Sequence, residues 1–192
     1  MKKELVLEII KERWSPYALS SLPAEEFKIK AMMEAAGHAP SSFNEQPWLF
    51  VYTTREDKQV FSEYIGFLTE DNQLWAKNAF ALIISMARTK FTHNGKPNRF
   101  ARYDTGMAVS NLILQAMAFD IYIHQMGGFS VERVREYFRL DDDVEPIAVM
   151  AAGFLDDGAN LTPELLKKDE NRRPRKQVND YAFRNTMYNP AF

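Results

Sequence analysis

"APSSFNEQPW", residues 39–48, runs without a break into "WLFVYTT", residues 48–54. The second segment is aromatic and β-branched with apolar residues on both alternating faces, the pattern of a strand buried on both sides. The first reads as neither helix nor core: its prolines interrupt a helix, and its two adjacent hydroxyls and two amides need partners that an apolar interior does not supply. A polar segment at the mouth of a buried strand is held by a rigid element, which is where binding groups are commonly placed. The neighbouring segments decide what kind of sheet that strand joins.

Towards the N-terminus, the pattern predicts a helix starting near Ser21, with Pro23 in its first turn and Glu25 and Glu26 near the positive end of the dipole. Ile29, Met32, Met33 and Ala36 follow the i, i+3, i+4, i+7 rule, and Gly37 ends the helix. Residues 3–13 predict another helix with Val6, Ile9 and Ile10 on one face, closed by Pro16. Its Glu4, Glu8, Lys11 and Glu12 interrupt any signal-peptide core, and no small-residue cleavage site follows.

Towards the C-terminus, a helical stretch near 57–77 leads to a strand "FALIISMA". Residues 88–103, "RTKFTHNGKPNRFARY", lack periodicity and carry five basic groups with no acidic one, as a surface loop does. A long helix from Asp104 to about Phe119 turns Val109, Leu112, Ile113 and Ala116 inward. The strand "IYIHQM", Gly127-Gly128, a helix capped by Ser130, the strand "PIAVMAAGF" at 146–154 and a helix starting at Thr162 complete the pattern. The tail from 169 to 192 is polar, basic in "RRPRK" and rich in aromatics. Four or five strands separated by helices favour a helix-flanked sheet over a sandwich or bundle, and the uneven spacing suits a three-layer α+β domain better than simple α/β winding.

At 192 residues, 46% hydrophobic and 26% charged, the chain makes one domain with a sizeable core. A net charge of −2 gives no field that draws a protein to nucleic acid or to an anionic membrane, so a small or locally charged partner is expected. The longest apolar run, residues 79–87, is less than half the ~20 residues of a spanning helix. No cysteine is present, which excludes a disulfide framework, thiol catalysis and thiolate metal sites and fits a cytoplasmic location.

His38, His93 and His124 lie far apart without helix-spaced carboxylates, so no metal site is expected. The run Asp141–Asp143 lacks the glycine and distal glutamate of a calcium loop. No Gly-rich phosphate loop is present, and Ser110 and Ser130 lack a nucleophile elbow. What remains are polar segments at the ends of apolar elements: "RWSPY" at 13–17, "PSSFNEQPW", Asn72, Gly127-Gly128 and "NRRPRK" at 171–176. Singly, each reads equally well as a cap, a turn or a solvated charge run.

In this order, "RWS", "APSSFNEQPW" and "RRPRK" resemble the FMN-dependent nitroreductase family, as do the central segment 102–125 and the closing "AVMAAGF". The resemblance spans roughly residues 5–178. It implies a three-layer α/β/α fold with a central mixed, mainly antiparallel sheet, an FMN-binding domain over 1–160, and a segment 161–192 that completes the domain or packs on a partner subunit. It implies a homodimer with FMN at the subunit interface, NADH or NADPH as donor, and a small electron-poor acceptor such as a nitroaromatic or quinone.

The site residues implied by resemblance are these. Arg13 and Ser15 bind the phosphate or the pyrimidine edge, with Trp14 contributing mainly backbone; Pro40, Ser41 and Ser42 wrap one face or the phosphate. Asn44 lies near the ring, Gln46 lines the pocket or braces the loop, and Asn72 contacts the pyrimidine end. Gly127 and Gly128 bring backbone N–H groups towards flavin N5, and Arg173 with Arg172 or Arg175 returns to the phosphate. No side chain is assigned as a catalytic acid or base, since the flavin carries the chemistry. The family often has a cation where this chain has Tyr17, and a second Arg where it has Trp14, so the phosphate end departs from the family pattern. Phe43, Trp75 and Phe100 are candidates for the acceptor side. The same fold hosts dehalogenating, flavin-destroying and dehydrogenating reactions, and flavin storage without catalysis is a further alternative.

Overall fold

In the computed structural model, residues 5–192 are described, and Lys3 and Glu4 of the predicted first helix lie outside them. Five strands form the sheet: β1 (Leu19–Ser20), β2 (Trp48–Thr54), β3 (Ala81–Arg88), β4 (Ile121–Met126) and β5 (Val144–Leu155). β5 is the hub, pairing with β1, β3 and β4, while β2 pairs with β3, and every pairing is antiparallel. Ala152 has Ala81 of β3 on one edge and Ile123 of β4 on the other. β5 is therefore paired along both of its edges, and β2 lies at an edge of the sheet rather than between neighbours. Tyr52 of β2 is accordingly exposed, which corrects the expectation of a strand buried on both sides.

Alternation along β3 divides the core. Leu82, Ile84 and Met86 face one helical layer, α3 (Lys58–Phe67), α4 (Glu70–Ala76) and α6 (Val131–Phe138), through Phe61, Tyr64, Phe67, Trp75 and Val134. Ala81 and Ile83 face the other layer, α2 (Glu26–Gly37) and α5 (Ala101–Met117), through Ile29, Met32, Ala108, Leu112 and Ala116. The three-layer α+β architecture expected from the sequence is what forms.

Several boundaries differ from the sequence pattern. α1 covers only Glu8–Glu12 and buries nothing fully; Leu5, Val6 and Leu7 are exposed and non-helical, because no element among the described residues packs over them. α2 begins at Glu26, so Pro23 precedes it. α5 starts three residues before Asp104, and the two-residue β1 was not legible as a strand. α7 (Pro163–Glu170) starts as predicted, with the Thr162 hydroxyl accepting from Leu165 N–H at 3.4 Å.

The largest difference is at 57–77, where one helical pattern becomes two helices broken at Leu68-Thr69. Leu68 forms a bridge with Phe129, and Thr69 N–H donates to Gly128 O at 3.0 Å. Leu68 N–H still donates to Ile65 O at 3.0 Å, but Thr69 N–H turns to a tertiary partner, which local periodicity does not anticipate. Among the described residues no helix is long and apolar enough to cross a membrane.

Candidate active site

Arg13, Trp14, Ser15 and Tyr17 follow α1, and Arg172, Arg173 and Arg175 follow α7; the fold brings both groups to one cavity of about 360 Å³. Arg13 Nη1 donates to Ser15 Oγ at 3.4 Å, and the Arg172 guanidinium lies 3.9 Å from the centroid of the Trp14 ring. The Trp14 side chain is thus a cation–π platform for Arg172. Burial lowers the Arg13 pKa below the usual arginine value, and the neighbouring Arg175 charge lowers it further. Lys11 and Lys168 line the same cavity, two cations the sequence reading did not pick out. Their signal was present in the spacing, since each stands near an already identified basic segment on a short helix.

The Tyr17 ring is turned into the core, edge-on to Trp75 at 5.2 Å and tilted over His124 at 4.7 Å. The His124 ring in turn lies 4.4 Å from that of Trp75, and its Nδ1–H donates to Pro16 O at 2.9 Å. Trp75 is 1% exposed, so it is part of this stack and cannot offer an acceptor surface.

Burial lowers the His124 pKa, against smaller opposing effects of the Pro16 carbonyl and Asp169. The folded state therefore takes up the proton less readily than the unfolded chain. The stability of the neutral ring is complete above the ordinary value of 6.5 and is lost as pH falls below it, where the unfolded chain protonates first. Thermal melts across that range are expected to fall more steeply with decreasing pH for the native protein than for His124→Gln. Parallel curves would show that this ring does not titrate as described.

A second group gathers at the break between α3 and α4. Asn72 Nδ2 donates to Gly128 O at 3.0 Å, alongside the bond from Thr69 N–H to the same oxygen. A Cβ on Gly128 would lie 2.8 Å from Asn72 Nδ2 and 3.0 Å from Thr69 Oγ1, whereas one on Gly127 would meet nothing within 4 Å. Gly128 is required for close packing; Gly127 faces open space just beyond β4.

The third group is the opening segment. Pro40, Ser41 and Ser42 line a separate cavity of about 250 Å³ with Phe100, Tyr103, Asp104 and Met107. Asp104, 2% exposed, accepts Ser42 N–H at 3.0 Å, and the Ser41 hydroxyl accepts Gln46 N–H at 3.0 Å. The segment adopts left-handed backbone at Phe43 (φ 55), Asn44 (φ 55) and Gln46 (φ 50), conformations a side-chain-bearing residue keeps only when its surroundings hold them. As a result Phe43 is 84% exposed, and Asn44 and Gln46 also face outward.

Glu45 fixes the basic loop to this segment. Its Oε1 accepts Thr92 N–H at 2.7 Å, which lowers the carboxyl pKa, and Oε2 lies 3.5 Å from His93 Nδ1. Arg88 pairs with Asp143 at 3.1 Å and Arg102 with Glu145, so part of the loop's charge is neutralised.

No residue lining the arginine cavity also lines the serine cavity. Arg13 does line a further cavity of about 380 Å³ under α5, with Ser85, Thr105, Gln125 and Ile147. There the fully buried Thr105 hydroxyl has no hydrogen-bond partner among the described residues.

A helix-flanked sheet that gathers guanidinium groups from both ends of its chain is suited to an anionic small molecule. The chain belongs to the nitroreductase family, whose model matches residues 10–66 and 67–154. It is 33% identical over 135 residues to an uncharacterised 15.4 kDa protein of the ask 5′ region in Mycolicibacterium smegmatis, covering 69% of this chain and 87% of that one. Among solved structures it is similar to an oxidoreductase containing FMN, with 31% identity, a TM-score of 0.91, and 98% and 96% of the two chains covered. A nitroreductase family protein of Clostridium difficile 630 shares the fold at 20% identity and a TM-score of 0.72, with 96% and 100% covered.

Proposed function

We propose that this protein is an FMN-dependent oxidoreductase that takes electrons from NADH or NADPH and passes them to a small electron-poor acceptor such as a nitroaromatic or quinone. The observation that carries the reading is the arginine cavity. Four arginines line it, while Lys11 and Lys168 beside them pair with Glu8 and Glu164; among the described residues its one lining carboxylate is Asp169, whose two oxygens accept backbone N–H groups. The nearly dianionic phosphate of FMN fits that charge deficit. The FMN of the 31%-identical structure supports the same assignment.

When bound, FMN supplies the redox chemistry, accepting a hydride equivalent from the nicotinamide and returning electrons to the acceptor in a ping-pong cycle. The chain's own residues hold and orient. Arg13, Ser15, Arg173 and Arg175 bind the phosphate end, with Arg172 braced on Trp14. Asn72 is fixed by Gly128 O and presents its amide group to the pyrimidine end, while Gly127, where a Cβ would meet nothing within 4 Å, leaves room for the backbone N–H groups of Gly127 and Gly128 to approach the ring.

Pro40, Ser41, Ser42, Asn44 and Gln46 contribute from the partner of a homodimer, with FMN at the subunit interface and both chains in the cytoplasm. This accounts for a strained, rigidly braced segment that lines no cavity with the arginines of its own chain. The exposed Leu5, Val6, Tyr181, Tyr188 and Phe192 supply apolar surface for such an association. In this reading residues 1–160 form the FMN-binding domain and 161–192 an arm that carries the phosphate arginines.

The purified protein is expected to be yellow with one FMN per chain, and to bleach anaerobically with NADH or NADPH and recolour on addition of a quinone or nitroaromatic. Flavin that is never bleached by either nicotinamide would refute the oxidoreductase reading.

A further inference from the structure

The C-terminal arm, 161–192, opens with α7, and its attachment to the rest of the protein is specific. Asp169, on the last turn of α7, accepts Tyr17 N–H with Oδ1 and Oδ2 at 3.0 and 2.9 Å and Ala18 N–H with Oδ2 at 2.9 Å. These amides belong to the segment that follows Arg13 and Ser15, 151 and 152 residues away in sequence. From the opposite side, His124 Nδ1–H holds the carbonyl of Pro16 at 2.9 Å. The Pro16–Tyr17 peptide group is therefore held through its carbonyl by the sheet and through its N–H by Asp169, which also holds the next N–H in the chain. Three residues after Asp169, Arg172 stacks on Trp14 at 3.9 Å. The arm thus meets the N-terminal segment at two points, and Arg173 and Arg175 come next in the chain.

We infer that Asp169 is a positioning residue which, with Arg172 on Trp14, latches the C-terminal arm to the Arg-x-Ser segment and thereby assembles the phosphate end of the flavin site. The inference rests on the flavin reading above. Its physical basis is charge: several like-charged groups around one cavity repel each other, and burial together with Arg175 already disfavours the charged form of Arg13. A carboxylate bonded to two consecutive amides offsets that repulsion and fixes the spacing without occupying the cavity. In this arrangement Arg172 is a structural cation, leaving Arg13, Arg173 and Arg175 for the ligand.

Deflavinated protein titrated separately with FMN and riboflavin tests this, since the two differ only in the phosphate. The native protein is expected to bind FMN more tightly than riboflavin. Asp169→Ala is expected to weaken FMN binding by about tenfold or more, the scale of a lost charge-assisted hydrogen bond, with riboflavin affinity unchanged. Should that variant not fold, Asp169→Asn and Arg172→Leu carry the same expectation, since the first leaves an NH₂ facing one amide and the second removes the stack on Trp14. Equal weakening of both flavins, or of neither, would overturn the latch. Native protein with no preference for FMN would overturn the phosphate-site reading itself, a distinguishable result.

Discussion

Arg13→Ala is expected to lose FMN during purification while keeping its fold. Arg13 is the guanidinium that meets the cavity from the N-terminal side, beside Ser15 Oγ at 3.4 Å, and it is partly exposed. Removing it leaves no large void, so the thermal midpoint of the flavin-free protein should hardly change. A charge-assisted bond to phosphate contributes about 1.5–3 kcal/mol, which corresponds to roughly ten- to 150-fold in Kd. Because burial and Arg175 disfavour the charged form of Arg13 without a ligand, part of the gain on binding is relief of that repulsion. Flavin content measured by absorbance should fall well below one per chain. Retention of full flavin stoichiometry in the variant would place the phosphate elsewhere.

Gly128→Ala is expected to destabilise the protein where Gly127→Ala does not. Neither glycine has a left-handed φ, so the contrast comes from space alone. At Gly128 the new methyl would lie 2.8 Å from Asn72 Nδ2 and 3.0 Å from Thr69 Oγ1, and both residues bond to the Gly128 carbonyl. Relieving the overlap moves Asn72 away and strains the junction of α3 and α4, a cost of about 1–3 kcal/mol for inserted volume in a packed site. For a chain of this size that is a fall of roughly 2–12 °C in the thermal midpoint. At Gly127 the methyl meets nothing within 4 Å. Equal melting temperatures for the two variants would mean that the Asn72 contact yields freely, and with it the claim that this amide is held in place for the flavin.

Much of this was legible in the chain. β2 and β4 matched their predicted spans because β-branched and aromatic runs bounded by Pro, Gly and polar residues admit few other structures. The caps at Ser130 and Thr162 formed because a hydroxyl beside free N–H groups is a local interaction, independent of the rest of the fold. The ordered motifs pointed to the family whose model matches residues 10–66 and 67–154, with "RRPRK" lying beyond the matched span.

Other features depended on distant partners. The break at Leu68-Thr69 follows from the pairing with Gly128 and Phe129, some sixty residues on. The inward turn of Tyr17 onto Trp75 and His124, the stacking of Arg172 on Trp14, and the two cations added by Lys11 and Lys168 each join segments far apart in sequence. By itself the sequence determined most of the elements, their layered arrangement and the family, because periodicity, capping and motif order are short-range properties. Only the tertiary structure decided which polar groups share a cavity and that Asp169 ties the two ends of the chain together, because hydrogen bonds and Coulomb forces act through space and the fold alone sets those distances.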